Sequence, residues 1–407
     1  METRGPGKVL VVSHMIPPSH SGQAIVLYHL LSGLPAERYC LLSGRQLKSV
    51  SNAATKQLPG VHHRLKLSQA LPMVDLPGAR AAGMLLNSVW IKWRAKEIER
   101  VLREEGCRLA VACTGDLYNL PAAYLACSRQ RLDLILYMFD DYAYQWTGIR
   151  RTMAKQLEPM IVQYARRLVV PNEFLREEYR LRYGVESTIV RNPVDLFDLE
   201  ELDSAKRHLD ENSFNIVYTG AVYHAHYDAF RNLIAALGII ERTDVKLHIY
   251  TAQNPATLKK NGIAGRMVVF HRHIPLRDVP YVLRQADMLF LPLAFRSNIQ
   301  DVIRTSAPGK MGEYLAAGRL ILVHAPEDSF VSWYFRKNSC GRVVSRDDPG
   351  LLARELEELL ELPDVCAEFG MRARKAAEQD FSLENNRKRF EELLEMKGRY
   401  EDACFQV

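Results

Sequence analysis

A chain of 407 residues exceeds what one ordinary hydrophobic core organises, and two domains are expected. Its 47% hydrophobic and 25% charged residues exclude wholesale disorder. The net charge of +6, from 54 basic and 48 acidic side chains, suits an anionic ligand or a membrane surface. The basic residues are scattered and not blocked, which argues against nucleic acid. Seven cysteines (Cys40, Cys107, Cys113, Cys127, Cys340, Cys366 and Cys404) form no CxxC pair. They read as reduced core residues of a cytoplasmic protein, with neither a disulfide framework nor a metal site. No apolar leader precedes the first strand near Lys8, and no run reaches the ~20 apolar residues of a spanning helix.

Short apolar runs alternate with amphipathic stretches along the chain. Strands are expected at 9–13, 39–43, 109–113, 132–138, 168–171 and 187–190, and then at 214–219, 245–250, 267–271, 287–292, 319–324 and 341–344. Near-continuous apolar strands separated by helices indicate parallel sheets buried on both faces. The fold class is therefore α/β, with two Rossmann-like doubly wound domains facing a central cleft. The first domain is expected over 1–196 and the second over 197–382. Helices are expected at 349–362 and 364–379, and the remaining 383–407 carries a charged helix whose docking face is left open. Between strands, residues 84–103 place Ile91, Ala95, Ile98 and Leu102 on one helical stripe, flanked by Trp90, Trp93, Lys92, Arg94 and Lys96. Such a helix packs on a core or lies in a bilayer interface.

In open α/β sheets, ligands bind beyond the carboxyl ends of the strands, so candidate residues are sought in those loops. The loop after the first strand leads to Gly22, whose neighbouring N–H groups suit a phosphate at a helix start; a tight turn explains it equally well. After the fourth strand come Asp140 and Asp141, of which one would orient an acceptor hydroxyl or take its proton and the other cap the next helix. Strand 214–219 runs into Gly220, with His224 and His226 beyond it, a second anion-receptive turn. Arg272, Arg296 with Asn298, and Arg304 add cations on later loops, and with Lys310 would offset a diphosphate. Lys310 and Glu313, three apart near a helix start, share one face; they suit phosphate and sugar hydroxyls, or form an ordinary solvated ion pair.

Three segments, Val169-Val-Pro-Asn-Glu-Phe-Leu through Val190-Arg-Asn-Pro-Val-Asp195, Val217-Tyr-Thr-Gly220, and Ala286–Pro292 followed by Pro308–Gly318, resemble the family 4 glycosyltransferases of GT-B fold. The resemblance implies a metal-independent, retaining transfer of a glycosyl unit, hexosyl in type, from a nucleoside diphosphate sugar to an acceptor hydroxyl. The acceptor would be a sugar, a lipid-linked or a small molecule, as in polysaccharide biosynthesis. No cofactor is implied, since the nucleotide sugar is itself the donor substrate. Glu313 matches the residue that binds the ribose hydroxyls. The family's donor-sugar glutamate falls at Thr305, and its diphosphate-binding arginine and lysine fall at Ala221 and His226. Lys310, Arg304 and His226 would then neutralise the departing diphosphate, with Asp140 on the acceptor. Gly22, Gly220, Arg272, Asn298 and Thr305 complete the expected donor contacts. The alternatives are a catalytically silent nucleotide-binding scaffold, prompted by these departures, and a nucleotide-sugar epimerase of the same fold. The location expected is the cytoplasm, with peripheral contact at the inner membrane face.

Overall fold

The computed structural model describes residues 7–19, 21–44, 56–66, 80–205 and 208–395. The chain divides into two compact units, Met1–Arg191 with Glu384–Val407, and Asn192–Leu383.

The first unit holds seven strands: β1 (Val9–Ser13), β2 (Tyr39–Ser43), β3 (Val61–Arg64), β4 (Leu109–Cys113), β5 (Asp133–Tyr137), β6 (Arg167–Val170) and β7 (Ser187–Ile189). They form one sheet in the order β3-β2-β1-β4-β5-β6-β7, with every pairing parallel. β1, β2, β4 and β5 are buried along their whole length, as their unbroken apolar runs require between two helical layers. β3 was not expected. Its sequence Val-His-His-Arg has neither an apolar run nor an alternating pattern, because it lies at the sheet edge with both faces partly in water.

The second unit holds β8 (Phe214–Thr219), β9 (Val245–Thr251), β10 (Val268–Arg272), β11 (Met288–Pro292), β12 (Leu320–His324) and β13 (Arg342–Val344). Their order is β10-β9-β8-β11-β12-β13, again all parallel. The direction of winding reverses between β1 and β4 in one sheet and between β8 and β11 in the other. Connections that leave in opposite directions there open a crevice at the carboxyl ends of the strands.

The charged C-terminal helix Leu383–Glu395 belongs to the first unit. Phe390, Leu393 and Leu394 enter the core beside Val9, Val11 and Leu27. Asn386 accepts the Arg191 N–H at 2.9 Å, and the Arg387 Nε–H donates to the His29 carbonyl at 2.7 Å. In the second unit the outgoing and returning passages lie side by side, with Val194 N–H donating to Phe381 O and Leu383 N–H to Val194 O. The helix stretch 84–103 lies within Arg80–Glu104, and its stripe Ile91, Ala95, Ile98 and Leu102 is buried in the first unit's core.

Candidate functional site

In the second unit, β8 is buried from Asn215 to Thr219 and then stops at Gly220, whose φ of +110° side chains rarely adopt. The helix Lys310–Ala316 lies against that turn. Lys310 and Tyr314, four apart on one helical face, both reach the end of β8. The Tyr314 hydroxyl accepts the Thr219 N–H at 3.0 Å, and the Lys310 ammonium donates to the Tyr218 hydroxyl. Lys310 Nζ also stands 3.8 Å from the centre of the Tyr218 ring. A Cβ on Gly220 would lie 3.4 Å from Lys310 Nζ, so the lysine passes directly over the glycine backbone. Tyr218 in turn donates to the Ala221 carbonyl at 2.6 Å, and its oxygen lies 3.4 Å from His226 Nδ1. Gly312 lets the same helix sit close on the interdomain passages, since a Cβ there would meet Phe381 and Asn192 O at 3.2 and 3.3 Å.

Lys310 and Glu313 are both partly accessible to solvent. Desolvation lowers the Lys310 pKa to about 7 against the opposing pull of Glu313. Desolvation likewise raises Glu313 to about 7, opposed by Lys310. Desolvation thus moves both groups towards neutrality, and the water that reaches the two side chains tempers each shift. His226 corrects an expectation. It is buried, and desolvation together with Lys310 holds its pKa well below the ordinary range, so it is a neutral hydrogen-bonding group and no cation.

The other expected residues occupy further loops of the same strand-end edge. Arg272 ends β10 and lines an open groove of about 730 Å³ with Thr251, Gln253, Asn254, His271 and His273. His271 is an aromatic wall of that groove and not a cation. It stacks on Tyr250 at 4.2 Å, bonds His248 at 2.8 Å, and desolvation lowers its pKa. Asn298 is exposed on the loop after β11. Arg296, beside it, pairs with Asp347 at 2.9 Å. Arg304 and Thr305 end the helix Gln300–Thr305. Thr305 is buried, and its hydroxyl turns back to the Asp301 carbonyl at 3.3 Å.

In the first unit, Gly22 opens the helix Gly22–Leu31 and is exposed, with no atom within 4 Å of where a Cβ would stand. No crowding at that position calls for glycine. The neighbouring Gln23 is the better-placed group. Its Nε2 donates to Ser13 Oγ at 3.0 Å and to Thr114 O at 2.7 Å, tying the ends of β1 and β4 at the switch point. The paired acids separate cleanly. Asp141 is buried, accepts the Ala143 and Tyr144 N–H groups at 3.1 Å each, and pairs with Arg182. Asp140 is exposed just past β5; desolvation and then Asp141 push its carboxyl up towards 6, a shift that its contact with water tempers.

Sequence reasoning missed Tyr218, Tyr314 and Gln23. Tyr218 lies within a strand and Tyr314 within a helix, and only their hydroxyl partners mark them as part of the turn.

Residues 213–362 match the model of the family described as Glycosyl transferases group 1. No curated protein matches the chain. Among solved structures, the fold is similar to sucrose-phosphate synthase from Thermosynechococcus elongatus (TM-score 0.68, 14% identity, 98% of this chain and 100% of that one). It is also similar to a glycosyltransferase from Rickettsia africae (0.66, 12%, 96% and 98%). A third likeness is to HepE from Anabaena in complex with UDP and glucose (0.67, 13%, 95% and 99%).

Proposed function

We propose that this chain, a GT-B protein whose residues 213–362 carry the group 1 glycosyl transferase pattern, moves a sugar from a nucleoside diphosphate sugar to an acceptor hydroxyl. The observation that carries this reading is Lys310 laid over the Gly220 turn. The family's diphosphate-binding cations are absent at Ala221 and His226, and the turn nevertheless holds one ammonium group. HepE was solved with UDP and glucose, and that ligand class fits a glycine turn with a cation above it.

In the reaction the bond between the anomeric carbon and the diphosphate oxygen breaks, and a bond to the acceptor oxygen forms. The acceptor proton leaves to a base. Lys310 binds the departing diphosphate, and stabilising that developing charge is the larger part of its role. The backbone of Gly220 allows close approach of phosphate, Glu313 holds the ribose hydroxyls, and Arg272 and Asn298 line the donor's path. Arg304 is the second cation. Asp140, the exposed carboxylate past β5, orients the acceptor. We assign the transfer to the retaining, metal-independent, hexosyl class, with polysaccharide precursors as acceptors and the cytoplasmic face of a membrane as the place of work. No helix among the described residues is long and apolar enough to cross a membrane.

The test is a thermal-shift screen of nucleoside diphosphate sugars, followed by product analysis with candidate acceptors, since a ligand selective for the folded state raises its stability. Lys310→Ala and Glu313→Ala should each abolish most transfer; unchanged rates in both would remove the site assignment. A second reading, a nucleotide-binding scaffold without turnover, is favoured by the neutral His226 and the inward-turned Thr305 hydroxyl. Tight nucleotide binding with neither transfer nor hydrolysis would establish it, and product analysis without acceptor would detect an epimerase.

A further inference from the structure

The helix Arg80–Glu104 has two apolar faces, and only one is used by the core. Ile91, Ala95, Ile98 and Leu102 are buried. Leu86, Val89 and Trp93 recur at helical spacing on the opposite side, with Trp90 at its margin. Leu86 and Val89 are 59% and 57% exposed, and the half-buried rings of Trp90 and Trp93 stack at 5.8 Å. Lys92 and Lys96 stand exposed along the edge of this second stripe.

Residues 80–96 contain no acidic side chain.

We propose that this face of the first unit docks on an anionic lipid surface, with Leu86, Val89 and Trp93 entering the headgroup boundary and Lys92 and Lys96 meeting the lipid charges. Apolar side chains that project from a helix need a deformable apolar layer, and amphipathic Trp rings sit at its edge. Two exposed lysines with no acidic side chain between residues 80 and 96 select a negative surface over a neutral one. The inference stands on the helix alone and is independent of the transferase reading.

The test is co-sedimentation of the full chain with vesicles of phosphatidylcholine alone and of phosphatidylcholine with phosphatidylglycerol. Binding is expected only to the anionic vesicles, and to weaken as salt is added. Leu86→Ser/Val89→Ser should lower partitioning about tenfold or more, since two apolar side chains leave the lipid. Lys92→Glu/Lys96→Glu should lower it by a similar factor. All four side chains are exposed, so circular dichroism and the thermal midpoint should stay unchanged, which separates lost docking from lost folding. Absence of wild-type binding to anionic vesicles, or equal binding by both variants, overturns the proposal. A concentration-dependent dimer that Leu86→Ser dissolves, with no vesicle binding, would instead assign the face to a second copy.

Discussion

The Lys310 ammonium is held against Tyr218, hydrogen-bonded to its hydroxyl and 3.8 Å from its ring centre, although the two residues are 92 apart in sequence. The ring face stabilises the cation and the hydroxyl aims it over Gly220. Lys310→Met should weaken UDP binding by about 10- to 100-fold, the loss of one charge-assisted hydrogen bond of roughly 1.5–3 kcal/mol. Tyr218→Phe keeps the ring and loses the aiming contact, so a smaller, few-fold loss is expected. Titration calorimetry with UDP reads both; equal affinities in all three proteins would remove Lys310 from the site.

Charge exchange at Lys310 and Glu313 predicts a pH-dependent affinity. Below about 7 the lysine is protonated and the glutamate neutral; above it the lysine loses its proton and the glutamate gains charge. UDP affinity should therefore fall between pH 6 and pH 8.5 by about an order of magnitude. Lys310→Met should flatten the profile, and a wild-type profile flat across the range would contradict the assignment.

The same groups act on stability, with opposite signs in different windows. Glu313 binds its proton more tightly in the folded state, so its contribution falls as pH rises from 4.5 to about 7. Lys310 binds its proton less tightly when folded, so its contribution grows as pH rises from about 7 to 10.5. Glu313→Gln should remove the first slope and Lys310→Met the second. Chemical denaturation across the pH range measures both, relative to wild type.

Gly220→Ala tests the turn. A φ of +110° costs a side-chain-bearing residue about 1–3 kcal/mol, and the new methyl would stand in van der Waals contact with Lys310 Nζ at 3.4 Å, in the space between lysine and turn. Both a lower thermal midpoint and weaker UDP binding are expected. A variant as stable as wild type would show that the turn relaxes without strain.

The paired acids should respond differently to substitution. Asp141→Ala removes the acceptor for two backbone N–H groups and a partner of Arg182, and should cost about 2–4 kcal/mol. Asp140→Asn should leave stability within about 0.5 kcal/mol, as for an exposed surface change, and lower transfer to the acceptor. Denaturation curves and rates measured on the same preparations distinguish the two roles.

The two parallel sheets follow from local pattern, because apolar runs between amphipathic stretches survive any rearrangement around them. Twelve of the strands were legible to within a residue or two; the polar edge strand Val61–Arg64 was not, since an edge needs no buried face. Gly220 and the Lys310–Glu313 helix were also legible, as a glycine after a strand and two charges on one helical face. What lies against what was decided only in three dimensions. The meeting of Lys310 with Tyr218, the burial that leaves His226 neutral, the capping task of Asp141 and the return of Phe390 and Leu394 to the first core all depend on residues far along the chain. Burial sets the charge of a side chain, and long-range packing sets burial, so composition and spacing named the groups but not their protonation or partners.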